Sequence, residues 1–220
     1  MFQQMLNGSI AVLTRPAVAT FEEHERNNVG WALTYVGIGA VINAILGVIG
    51  ASIRPATPPD PATMEGLEGS PLADIMTQAA QPPSLVGAVI LGLFGALIGY
   101  LIYTGIVFLL GRAFGGTGQF GELAYDISLF YTPLTILTAL LNVIAIGPLA
   151  CLTGIAVLAA SIYNLYLTYL GIQAGMNVPR DKAIITMVII FVVSVILACI
   201  FVGIIFALIA AVAGASQTAP

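Results

Sequence analysis

The stretch SLVGAVILGLFGALIGYLIYTGIVFLLG, residues 84–111, contains no Asp, Glu, Lys, Arg or His. As an α-helix rising ~1.5 Å per residue it is about 42 Å long, more than the roughly 30 Å hydrocarbon core of a bilayer. Apolar residues and glycines occupy every face, so it is not the one-sided helix of a soluble surface. The rest of the chain repeats this character. Of its 220 residues, 59% are hydrophobic and 7% charged. A soluble domain is about a quarter charged, and one of this size buries only about 70% of the surface its unfolded chain exposes. A soluble enzyme and a disordered chain are thereby excluded. Six Lys and Arg within a net charge of −4 cannot form the basic face of a nucleic-acid binder.

Four more stretches have the length and composition of membrane spans. The expected fold class is all-α: a polytopic membrane helical bundle with five transmembrane helices at 30–52, 84–111, 124–147, 149–172 and 183–214. Trp31 anchors the start of the first, Arg54-Pro55 stops it, and Gly147-Pro148 forces the turn between the third and fourth. An odd number of crossings puts the termini on opposite sides. Arg15, Arg26, Arg112, Arg180 and Lys182 then share one face, with only Arg54 on the other. Cytoplasmic loops carry the excess of cations. The expectation is a multi-pass protein of the inner (plasma) membrane, N-terminus cytoplasmic and C-terminus external. The first residues do not read as a cleavable leader, because no cation precedes Arg15 and Asn7-Gly8-Ser9 breaks the apolar run. Cys151 and Cys199 lie inside apolar runs, with neither a metal nor a disulfide spacing.

The intervening segments are short. Residues 1–29 read as a cytoplasmic interfacial segment of two helices, the first with Phe2, Met5, Leu6 and Leu13 at helical spacing, the second opened by Pro16 and carrying Val18 and Phe21. His24 among Glu22, Glu23 and Glu25 reads as the solvated polar end of that helix, not as a metal site. Residues 53–83 form an external loop, in which Ser70 caps an amphipathic helix over 71–80. Residues 112–123 form a cytoplasmic Gly-rich loop. Its Gly116-x-Gly118-x-x-Gly121 matches the dinucleotide fingerprint in letters, but no βαβ unit surrounds it, and a flexible interfacial loop is the expected reading. Residues 173–182 form the last cytoplasmic loop and 215–220 an external tail.

Polar and small residues inside the spans are the candidate functional positions. Gly92, Gly95 and Gly99 lie along one side of the second span, with Gly95-x-x-x-Gly99 a GxxxG pair; Gly47-x-x-x-Ala51 and Ala156-x-x-x-Ala160 are similar. Such residues let helices approach closely in lipid, and packing within the bundle is expected over contact with another subunit. Asn43, Asn142 and Asn164 are expected to face the bundle and join helices by amide hydrogen bonds. Ile162, Tyr166, Tyr169 and Gln173 share one face of the fourth span, an aromatic belt or a lipid- or quinone-headgroup site. Asp126 opens the expected third span, where a helix N-terminus stabilises a carboxylate and Arg112 or Arg180 can pair with it; proton or ion handling is the alternative. Asp126, Tyr166, Tyr169, Gln173 and Arg112 are therefore grouped as a candidate polar or lipid-headgroup site. No nucleophile, base and orienting group converge, so no catalytic residue, cofactor or metal ligand is assigned.

Three motifs carry a resemblance. Leu13-Thr14-Arg15-Pro16 followed by Phe21 looks like the "LTRP…F" entry to the first span of one family. Phe114-Gly115-Gly116-Thr117-Gly118-Gln119-Phe120 with the later Pro133 looks like its "GG-x-G-x-F…P" stretch, and Tyr169 to Ala183 its last hairpin. The chain resembles the Yip1-domain family in its bacterial, five-span form. The resemblance implies a membrane-organising protein with no cofactor. Eukaryotic members engage small GTPases and one another, but the acidic "DLYGP"-like segment of those forms is missing here, so GTPase coupling is not expected.

Together these readings give a non-enzymatic integral membrane protein acting through membrane lipids and through other integral membrane proteins or itself, as a membrane organiser or an accessory subunit of a larger complex. The alternative is a small transporter or a lipid- or quinone-binding protein.

Overall fold

Long apolar runs without a polar stripe become long helices, because in lipid the backbone can satisfy its hydrogen bonds only within itself. The computed structural model describes residues 1–53 and 84–216, the side chains of 194, 197, 198, 201, 202 and 204–216 excepted. Residues 54–83, with the amphipathic helix expected at 71–80, and 217–220 lie outside the described residues. Among those described there are seven helices and no strand: α1 (Phe2–Thr14), α2 (Val18–His24), α3 (Val29–Ile53), α4 (Leu85–Ala113), α5 (Phe120–Ile144), α6 (Leu149–Met176) and α7 (Arg180–Ser216). Helices α3 to α6 are each long and apolar enough to cross a membrane. The protein is a multi-pass membrane protein, all-helical over the described residues.

Local chemistry sets the helix ends. Pro16 disfavours helical backbone at Arg15 and closes α1. Ser84 caps α4, its Oγ accepting from the Gly87 N–H at 3.2 Å. A capping box opens α5: the Gln119 side chain takes the N–H of Glu122, and the Glu122 carboxylate accepts from the Gln119 N–H at 2.8 Å. Asn177 ends α6 in the left-handed conformation, φ 51°, which asparagine adopts more readily than most residues.

Helix α5 is the hub. It packs most extensively against α3, next against α6, and also against α1 and α4. Every residue from Leu123 to Phe130 is buried, an unbroken run longer than two turns that leaves no face of the helix open. Beyond Leu134 the same helix is half-buried or exposed. The core therefore sits at one end of the bundle, the end that holds α1, α2 and the Gly-rich loop. There Gly39 lets α3 approach α5 so closely that a Cβ would lie 2.6 Å from Thr132 Cγ2.

The N-terminal helices complete that core. Met5, Val12 and Phe21 are wholly buried. Phe21 meets Phe130 edge to face at 6.1 Å between centroids, Ser9 Oγ lies 2.9 Å from the Tyr35 hydroxyl, and the Tyr163 hydroxyl donates to the Leu13 carbonyl at 2.6 Å. The apolar set on α1 expected to form one face is thus divided. Met5 turns into the protein, while Phe2, Leu6 and Ile10 stand outward as a separate ridge at i, i+4 and i+8. Phe21→Ala should cost about 3–5 kcal/mol, the range for a buried Phe. Thermal unfolding in mild detergent should show a lowered midpoint, whereas Ile10→Ala, on the exposed ridge, should leave it nearly unchanged.

Candidate functional site

The Gly-rich loop is the most tightly packed irregular segment at the core end. Gly118 lies so close to the end of α6 that a Cβ on it would stand 2.0 Å from the Gly175 carbonyl oxygen and 2.7 Å from Met176 Cα. A Cβ on Gly175 would in turn meet Leu123 Cα of α5 at 2.8 Å, and one on Gly121 would meet Asn27 Oδ1 at 2.0 Å. At Gly118 and Gly175 only glycine permits backbones this close. The approach is used for hydrogen bonds: the N–H groups of Thr117 and Gly118 both donate to the Met176 carbonyl, at 3.0 and 3.3 Å. Asn27 Nδ2 donates to Gln119 Oε1 at 2.6 Å, and Lys182 Nζ to the Phe114 carbonyl at 2.8 Å. The loop joins the N-terminal segment, α4, α5, α6 and α7. The expected flexible loop is instead a packed clasp.

Asp126 lies beneath it, fully buried, with neither carboxyl oxygen hydrogen-bonded. Its Oδ2 is 3.2 Å from where a Gly175 Cβ would stand. Two expectations are corrected here. The helix begins at Phe120 and not at 124, so Glu122 occupies the first turn and Asp126 lies a turn deeper, where the helix-terminal field has fallen off. The expected pairing with Arg112 or Arg180 is not made. Arg112 instead stacks over the Phe108 ring, 5.3 Å from its centroid, and donates to the Gly116 carbonyl at 3.4 Å, bracing the clasp from its exposed side.

A second acid stands beside the clasp outside the spans. Glu25 Oε1 is buried without a hydrogen-bond partner. Burial first, then the neighbouring carboxylates of Glu122 and Glu22, push its carboxyl up to about 7.

The other candidate residues separate into two groups. Tyr166, Tyr169 and Gln173 do come together, in a groove of about 790 Å³ between the α1–α2 corner, α6 and α7. Arg112 and Asp126 do not join them. The cation in the groove is Arg180, expected from sequence only to orient the chain or to pair with Asp126. Asn43 and Asn142 line a cavity of about 290 Å³ between α3 and α5. The hydrogen bond expected of Asn43 is not formed, its Oδ1 being buried without a partner; Gly47, Gly50, Ala51 and Ala139 line the same cavity and leave the amides room to stand apart. Asn164 lines two smaller cavities beside Tyr131. Of the glycines expected to pack inside the bundle, Gly92 does, a Cβ there meeting Ala44 Cβ at 3.5 Å; Gly47, Gly95 and Gly99 are exposed, and a Cβ on any of them would have nothing within 4 Å among the described residues.

The clasp, the LTRP corner and the α6–α7 hairpin are the three motifs that carried the resemblance, and in space they close around one end of the bundle. The model of the Yip1 domain family matches residues 10–202. The chain belongs to the Yip1 domain family. No curated protein and no solved structure matches it. In this Yip1-domain protein Gly116 and Gly118 of the central motif bring backbones into close contact.

Two outcomes test the site. Gly118→Ala forces a methyl onto a backbone carbonyl that cannot yield, and in a detergent melt of the separated chain should cost at least the ~1–3 kcal/mol of ordinary overpacking; Gly95→Ala, with nothing within 4 Å among the described residues, should cost nothing measurable there. Because Glu25 is raised in the folded state, the folded protein holds its proton more tightly than the unfolded chain. Its contribution is favourable at low pH and is lost as pH rises from about 4.5 to about 7. Glu25→Gln should flatten the decline of melting temperature across that window and raise it above the window.

Proposed function

We propose that this protein is a non-enzymatic, five-span protein of the plasma membrane that works through contacts with lipids and with other membrane proteins or copies of itself, as a membrane organiser or an accessory subunit of a larger complex. The observation that carries the reading is the outer face of α4. A Cβ on Gly95 or Gly99 there would meet nothing within 4 Å among the described residues, and around them Leu91, Ile98 and Ile102 are 76%, 56% and 59% exposed. Small residues flanked by large apolar ones form the kind of surface on which membrane helices associate, since close van der Waals approach replaces hydrophobic burial in lipid.

The fifth crossing is α7, whose 37 residues carry charge only at Arg180, Asp181 and Lys182. The cytoplasmic N-terminus is supported by the cations. Lys182 reaches the Phe114 carbonyl and Arg112 the Gly116 carbonyl, so both gather at the clasp end, to which the positive-inside rule assigns the cytoplasm. The transporter reading is weaker, because Asp126 lines none of the cavities that hold the asparagines.

The native protein, extracted in mild detergent, should run as a species heavier than one chain plus its micelle. Gly95→Ile with Gly99→Ile should weaken that assembly about tenfold, a loss of ~1.4 kcal/mol, while leaving the melting temperature of the separated chain unchanged. A single species of monomer mass would refute the assembly reading, and mass spectrometry of the heavier species distinguishes self-association from a complex.

A further inference from the structure

We propose that the groove between the α1–α2 corner and the α6–α7 hairpin is a binding site for one phospholipid with an anionic headgroup. The groove has about 790 Å³ of free volume, the size of a ligand site and not of a packing defect. Its polarity is graded along its length. Helices α6 and α7 are joined through residues 177–179 and pack together, so they run antiparallel, and Gln173 near the end of α6 is level with Arg180 at the start of α7. One turn deeper, about 6 Å, lie Tyr169 and Ile184. Deeper still, about 10 Å from the mouth, the walls are Leu165, Tyr166 and Met187.

That gradient is the profile of an amphiphile: a charged and hydrogen-bonding mouth over an apolar slot. Arg180 is the one formal charge among the described lining residues, and it is positive. Asp181, next along the chain, is not part of the wall. A guanidinium offers paired N–H donors that suit a phosphate, and Gln173 and Tyr169 add donors for ester or glycerol oxygens. The third wall, Pro16 and Val18, is held in place by the Tyr163 hydroxyl on the Leu13 carbonyl, so the groove exists before any ligand enters. The apolar depth commits the site to a lipid over a free phosphate. The site rests on the membrane reading but on neither partner nor assembly: binding is read on the separated chain, so its failure leaves the α4 surface standing, and a monomeric native species leaves the groove standing.

The test uses the full chain, delipidated in mild detergent, titrated with phosphatidylglycerol or phosphatidylcholine, with bound lipid counted by native mass spectrometry. The wild type should bind one phosphatidylglycerol about fivefold more tightly than phosphatidylcholine, the order expected of one cation near a headgroup. Arg180→Gln should abolish the difference and Arg180→Lys should keep most of it. Met187→Trp, which fills the apolar slot, should weaken both lipids alike. Equal wild-type affinity for the two lipids, an undiminished preference in Arg180→Gln, or displacement of the lipid by millimolar inorganic phosphate would each overturn the proposal.

Discussion

The contact between Gly118 and the Gly175–Met176 backbone is the constraint on which the rest of the molecule depends. Helices in lipid gain little by burying apolar surface against one another, since the solvent they leave is equally apolar. What holds them is close packing and hydrogen bonds that lipid cannot supply. At the clasp two stretches of backbone meet with no side chain between them, and the Met176 carbonyl, left over at the end of α6, takes the N–H groups of Thr117 and Gly118. Three helix ends are settled by that junction: the exit of α4, the entry of α5 and the exit of α6. The hairpin that follows starts α7 from a fixed place, and with it Arg180.

From that junction the order of the core follows. Residues 123–130 of α5 are sealed on all sides because α3, α6 and α1 are drawn in around the clasp. Phe21 and Phe130 close the seal from the N-terminal side, and Asp126 is caught within it. An unpaired carboxyl in such a place is costly, and its position directly beneath Gly175 makes that cost part of the same close arrangement as the clasp. Farther along α3 and α5 no comparable contact exists among the described residues, and space opens around Asn43 and Asn142.

Helix class and four of the long apolar helices were legible because lipid imposes a simple rule of length and apolarity, and the LTRP and glycine motifs were legible as family marks. The meaning of the glycines was not. A period of apolar residues reports which faces avoid water, and says nothing about two backbones touching. The start of α5 was readable in principle: Gln119 and Glu122 are spaced as a capping box, but apolarity alone places the boundary at 124 and so misjudges Asp126. Arg112 and Arg180 were alike in sequence, both cations flanking spans. Only the fold tells that the first is spent on Phe108 and Gly116 and the second opens onto the groove. Asn43 failed as a hydrogen-bonding partner because Gly47, Gly50, Ala51 and Ala139 leave space between it and Asn142, a circumstance visible only once α3 and α5 are side by side.

A core gathered at one end also gives the protein an asymmetric mechanical character. The leaflet around the clasp meets a solid, cross-braced body, and the opposite leaflet meets helix ends with gaps between them. Bilayer thinning or lateral pressure is then absorbed by splaying at the far ends, while the fastened ends keep their spacing and the shape they present at their own membrane surface.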